Sequence, residues 1–361
     1  MLGIFKKTLS STARRRALIV LFAAALALLL FGLRALRQPR TAGVTFPTEA
    51  DGCAAAAQIG NGAVILSGNR CALYDSSGSV LCSVPLRLQD PALCAGKSRA
   101  LAYDIGGTAC LLIQPDGTAL AWETEAPISA ATMNRRGRAC VITLPDNCRA
   151  LVTVYSSEGD EQFRYWSAED GILSARVSPD GERLAVTSCT DSGSRTELIS
   201  LQTGTTDAVF TVEDRAATEV LWLNDRRLVM LTASQALFFT DGGLWLGTFS
   251  FEGQALQAVA ADESGLVTLA LSPASAGING TLYTLNAKGE LLGTADYTGR
   301  LLSLQARHRR VLALDDAGLT LYRPALNSIA SAPLRGFKAA LLTGRRAALL
   351  TGDSTAEYYC F

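Results

Sequence analysis

Histidine is almost missing from this sequence: of 361 residues one is a histidine, His308. It stands in ARHRR beside Arg307, Arg309 and Arg310. A catalytic histidine needs a carboxylate or nucleophile at its side, whereas three cations disfavour its protonated form, so His308 reads as a solvated hairpin residue. Also lacking are GxSxG, a P-loop, HExxH and a GxGxxG that opens a helix, which removes the elbow hydrolases, P-loop nucleotide enzymes, zinc peptidases and dinucleotide binders. The nine cysteines form no CxxC pair and no spacing that fits zinc. Cys71, Cys82, Cys94, Cys110, Cys140 and Cys360 lie in β-like runs as small apolar residues. Cys148 and Cys189 fall in equivalent loops of neighbouring repeats, where a disulfide is one option. Trp122, Trp166, Trp222 and Trp245 sit in strand-like runs and read as core aromatics. No catalytic residue, metal centre or cofactor is expected from these patterns.

Acidic residues are absent from residues 1–40, which hold eight of the 33 lysines and arginines. The zero formal charge of the whole therefore leaves about −8 on the remainder, a balance that disfavours nucleic acid as a partner. Between Arg16 and Arg34 runs ALIVLFAAALALLLFGL, without a charge. At about 1.5 Å per residue this apolar run covers roughly 26 Å, close to a hydrocarbon core. We expect a cytoplasmic basic tail over 1–16 and a transmembrane helix over 17–36. A cleaved signal peptide shares the basic start, but the arginines at the exit and the lack of a small-x-small site or lipobox cysteine favour an anchor. Five basic residues before the span against three after it predict a cytoplasmic N-terminus and an extracellular body, single-pass in the cell membrane.

The rest lacks any sustained helical period and is instead repetitive. ARVSPDGERLAVTS, residues 175–188, reads as a β-hairpin turned by Ser178-Pro179-Asp180-Gly181. Equivalent second strands begin near Ala63, Ala100, Ala139, Leu184, Leu228, Val267, Val311 and Ala347, spaced by roughly 36 to 45 residues, the period of a four-stranded propeller blade. Each is followed by a third strand, and in the first six a glycine turn comes straight after it. The predicted fold is all-β, a β-propeller over 53–361 with eight blades, seven being the alternative. The eighth blade stops at Phe361 without a fourth strand. A spare β-like piece lies in the tether over 37–52, and residues from Thr41 to Pro47 are expected to pair with Ala356 to Cys360 to close the ring.

SPDGERLAV resembles the turn-and-strand signature of WD40-like repeats in TolB-type propellers, and LYTLNAKGELLGT is similar to strands of NHL- or quinoprotein-type blades. Basic tail, span and propeller in that order resemble membrane-anchored propeller proteins of clostridia and their relatives. In such propellers ligands usually meet the face that carries the second-to-third-strand loops and the connections between blades. On that face the alignment puts Asp90, Glu169, Asp170, Asp191, Glu213, Asp214, Asp315, Asp316 and Asp353. The doublets Asp315-Asp316 and Glu213-Asp214, with Asp191 and Asp170, are the candidate ligand-face acids. Converging carboxylates serve glycosidases and calcium sites, scattered ones only solvate. The expected function is a non-catalytic binding or assembly scaffold at the cell envelope, with the membrane, an envelope protein or a wall polymer as partner. The alternative is an extracellular hydrolase or lyase, or a quinone-cofactor propeller, that uses the acidic loops or the central channel.

Overall fold

A computed structural model describes residues 43–48, 52–213, 216–273 and 278–361. The expected transmembrane helix and basic tail lie outside the described residues. Within Ala42–Phe361 the strands form eight antiparallel four-stranded sheets. Seven are built from consecutive strands. The fourth shows the local logic: Gly171–Val177, Arg183–Thr190, Gly193–Ser200 and Thr206–Glu213 pair in order. Its first turn is closed by Ser178 N–H donating to Arg183 O at 2.8 Å, while Asp180 accepts from Glu182 N at 3.0 Å. Gly181 holds φ at 77°, a left-handed conformation that costs glycine nothing sterically.

The eighth sheet is made from both ends of the chain. Ala339–Leu342, Ala347–Thr351 and Thr355–Cys360 supply three strands, and Val44–Pro47 supplies the fourth. Val44 faces Tyr358, Phe46 faces Ala356 and Pro47 faces Thr355, so the pairing stops short of Cys360. Proline at the outer edge removes a donor that no fifth strand would have used. Phe46 belongs to blade 8 by its backbone and to blade 1 by its side chain. It is buried, and its ring centroid lies 5.0 Å from that of Tyr74 and 5.7 Å from that of Tyr358. Gly78 of blade 1 leaves the space that Phe46 fills, since a β-carbon there would collide with its ring.

Second and third strands are apolar at nearly every position because each blade is covered on both sides. Alternation then divides a strand between two neighbours. Ala100 and Ala102 of blade 2 pack in one layer with Val64, Leu66 and Leu73 of blade 1, whereas Leu101 and Tyr103 meet Ile128 and Val141 of blade 3. Each of the eight junctions between blades holds one such cluster. Cysteines 71, 110 and 140 are buried within them, as their strand context implies, but Cys360 is exposed. Cys148 and Cys189 are free thiols. Of the tryptophans Trp222 is core, while Trp166 and Trp245 stand about half exposed on outer strands, where the outward residues of an edge strand have nothing to pack against.

Candidate functional site

Antiparallel order divides the connections between two faces. One, the loop face, carries the second-to-third-strand loops and the links between blades. The other, the hairpin face, carries the first-to-second and third-to-fourth turns.

The predicted acids that are described fall on the loop face; two of them bind backbone N–H groups, two pair with cations and the other four are exposed. Asp315 accepts from Ala317 N and Gly318 N, both at 2.9 Å, and from Thr298 N at 3.1 Å. Asp316 accepts from Arg300 N at 2.8 Å. Asp170 pairs with Arg195 at 3.2 Å, and Asp353 pairs with Lys338. Asp90, Glu169, Asp191 and Glu213 are exposed, and Asp214 lies outside the described residues. Among the described residues no three histidine, cysteine or carboxylate side chains gather in a metal-binding arrangement. One acid escaped the sequence reading: Asp104, the last residue of a second strand, is buried and accepts from Gln89 N at 2.9 Å and Asp90 N at 2.8 Å. An aspartate at a strand end gives no sign in sequence that a neighbouring linker will fold over it.

The opposite face holds a cavity of about 730 Å³ at the mouth of the central channel. Its wall is largely alanine from the ends of innermost strands, and its rim is charged, with Lys97, Arg135, Asp262, Glu263, Arg307, His308 and Arg309. Small side chains leave the space open; long ones reach inward from the turns. The two acids are already engaged. Asp262 accepts from Ser264 Oγ at 3.0 Å and from Arg309 N at 2.7 Å. Glu263 pairs with Arg135 at 3.1 Å, and because one belongs to blade 6 and the other to blade 3 this bridge crosses the mouth. Burial pushes the Glu263 carboxyl above the ordinary glutamate range, and Arg135 only partly offsets that.

The cations are less well provided for. Arg307 donates to the side-chain oxygen of Gln58 and to Leu342 O at 3.5 Å, both neutral acceptors. Burial is the main influence on it, lowering its pKa below the usual guanidinium value, with Glu263 and Asp262 acting in the opposite sense from a distance. Among the described residues no carboxylate pairs with it. His308 and Arg309 form the two-residue turn between Leu301–Arg307 and Arg310–Asp315, with φ of 53° and 56°. Two successive non-glycine residues in the left-handed region cost of order 1 kcal/mol each, and the Asp262 bond to Arg309 N holds the turn in place. His308 is exposed and on the hairpin face, as its sequence position implies, yet it belongs to the rim of a cavity.

A continuous hydrogen-bonded collar fixes the innermost strands. Gly60 N donates to Lys97 O at 2.8 Å and Lys97 N to Arg135 O at 3.1 Å, joining blades 1, 2 and 3. Asn134 Nδ2 reaches Ser178 O at 2.8 Å, Trp222 Nε1 reaches Arg176 O at 3.1 Å, and Gly265 N reaches Leu223 O at 3.1 Å. Beyond the Asp262 bond, Leu342 N donates to Gln305 Oε1 at 2.8 Å and Gln58 Nε2 to Thr343 O at 3.3 Å, completing the circuit. The turns that ring the mouth in blades 2, 3 and 8 add Arg99, Arg136, Arg138, Arg345 and Arg346. Farther out, the third-to-fourth turns carry Asp75, Asp116, Glu158, Asp160, Asp241 and Glu290. The inner turns of blades 2, 3, 7 and 8 are thus basic, those of blades 4, 5 and 6 carry Asp180, Glu182, Asp225, Asp262 and Glu263, and acids outnumber Lys288 and Arg323 in the turns farther out. Sequence shows both sets of charges but not their radii, because radius depends on which turn of each blade lies nearer the axis.

Solved structures share this architecture at identities that establish the fold alone. BamB from Moraxella catarrhalis is 13% identical, with a TM-score of 0.61 over 90% of this chain and 100% of that one. Sqt1 of Saccharomyces cerevisiae is 9% identical, with a TM-score of 0.64 over 88% and 98%. The β-propeller domain of Myceliophteria thermophila Cps50 (Swd1) is 11% identical, with a TM-score of 0.54 over 77% and 96%. No curated protein matches the sequence significantly. Residues 44–325 match the model of a family of unknown function, DUF5711, and it is to this family that the chain belongs.

Proposed function

We propose that this chain is a non-catalytic binding or assembly scaffold, held outside the cell membrane by residues 17–36 with residues 1–16 in the cytoplasm. The observation that carries the binding role is the collar: every junction between innermost strands is hydrogen-bonded, so the backbone that presents the cations at the channel mouth is held in place before any partner arrives. Preorganisation of this kind lowers the ordering cost of association. The apolar run and the charge bias across it support the anchor. An envelope protein or a wall polymer is the partner this location offers, and the resemblance to anchored clostridial propellers points the same way.

In intact protoplasts, added protease should degrade the propeller, and a C-terminal fusion to a reporter that works only in the cytoplasm should stay dark. A bright, protected fusion refutes the location. Proximity labelling from the C-terminus, followed by mass spectrometry, should return a reproducible envelope partner that is lost when the rim cations are replaced. Labelling that gives the same set with and without them refutes the binding role of this mouth.

A further inference from the structure

The geometry points to the channel mouth on the hairpin face as a binding site for a phosphate group, with Arg307, Arg309 and Lys97 as its donors. The inference deepens the scaffold reading by naming the ligand chemistry. Its first ground is an imbalance of charge inside a defined cavity. Lys97, Arg135, Arg307 and Arg309 face two carboxylates there, Glu263, which pairs with Arg135, and Asp262, which is held by Ser264 and Arg309 N. Lys97 and the guanidinium of Arg309 have no ion pair among the described residues, and Arg307 is half-buried against neutral acceptors only. Arg307, partly taken out of water without a counter-charge, carries a cost that an anion entering the cavity removes, while the exposed Lys97 and Arg309 stand at the rim. Guanidinium groups present several N–H donors in fixed directions, which suits the three or four oxygens of a phosphate better than a single point charge.

The second ground is size. A volume of about 730 Å³ takes a phosphate with a sizeable attached group and is far larger than a monatomic ion needs. The third is where the chain begins its ring. Val44–Pro47 runs antiparallel to Thr355–Cys360, and that third strand runs from the loop face to the hairpin face. Residue 43 therefore lies at the hairpin-face end, the same end as the cavity. If residues 17–36 span the bilayer, six residues of sequence separate the span from Gly43. A lipid headgroup is then one source of the phosphate, and a soluble phosphate ester is the other.

The full chain in neutral-detergent micelles should bind inorganic phosphate in preference to chloride at equal ionic strength, read as a rise in Tm and by calorimetry. Arg309→Ala and Lys97→Ala should each weaken phosphate binding about tenfold, whereas Arg346→Ala, on the same face but outside the cavity, should leave it unchanged. Mixed micelles with phosphatidylglycerol separate the sources. For a headgroup site they raise Tm without added phosphate and Arg309→Ala abolishes that rise, while for a soluble ester only added phosphate does so. Equal responses to phosphate and chloride overturn the site, as does an equal loss in Arg309→Ala and Arg346→Ala, which would mean diffuse attraction by the basic turns. None of these readings needs the anchor to be correct, so a failed protoplast experiment and a failed phosphate site remain distinguishable.

Discussion

The two faces of this propeller use their charges differently. On the loop face Asp104, Asp315 and Asp316 are bound to backbone N–H groups and Asp170 and Asp353 to cations, while Asp90, Glu169, Asp191 and Glu213 stand exposed outside the channel-mouth cavity. On the hairpin face the cations around the channel exceed the acids beside them, and Arg307 pairs with no carboxylate among the described residues. A charge committed to a turn is part of the fold. A charge left over at a cavity is available to something else, and that distinction sets the two faces apart more than their sign does.

The largest expected effect removes both faces at once. Deleting residues 43–47 leaves Thr355–Cys360 as an open edge and takes Phe46 from the junction of blades 8 and 1, so the variant should aggregate or lose cooperative unfolding. The milder Phe46→Ala should cost about 3–4 kcal/mol. A variant that melts like the parent by calorimetry would show that the seam does not hold the ring. Next, Asp104→Ala leaves two N–H groups at Gln89 and Asp90 without their acceptor and should destabilise by about 2 kcal/mol in urea unfolding. If that loss is absent, the claim that loop-face acids are structural fails at its strongest case.

Smaller still, Arg309→Ala should change stability by no more than about 0.5 kcal/mol, since the turn is held by its backbone N–H and not by the side chain. A larger loss would make this cation a structural one and narrow the contrast between faces. The smallest effect is a slope. Burial raises the Glu263 pKa, so folding favours the protonated form: its contribution is present at and below the ordinary glutamate range and is lost as pH rises through the raised value. Between those limits the Tm of Glu263→Gln should fall less with rising pH than that of the parent. A parent that gains on the variant as pH rises would show that the Arg135 bridge outweighs desolvation.

Much of this architecture is legible in the chain because a propeller is local: seven of the eight sheets pair only strands that follow one another. SPDG before a β-run, an apolar strand and a glycine turn after it suffice to mark a blade, and the second strands fall where those signals place them. Counting also exposed the missing fourth strand of the last blade, since unpaired edges are costly and one spare β-run remained. Register across that seam was not legible. It depends on Phe46 finding the space above Gly78, a contact between residues of blades that meet only once the ring is closed.

The site was legible in its residues and not in its meaning. ARHRR is visible as a cationic hairpin, and in isolation a cationic hairpin is solvated. Closure of the ring carries that hairpin to the rim of a cavity beside the first strand of blade 1 and turns from blades 2, 3 and 6, places Asp262 under Arg309, and half-buries Arg307 against Gln58, 249 positions distant in sequence. The acids of the loop face were equally visible, but whether a carboxylate meets a neighbour's backbone or a ligand depends on how connections from adjacent blades stack. Periodicity and turn chemistry are properties of short stretches and so determine blade, strand and face from sequence alone. Convergence around an axis is a property of the closed ring, and only the tertiary structure decides it.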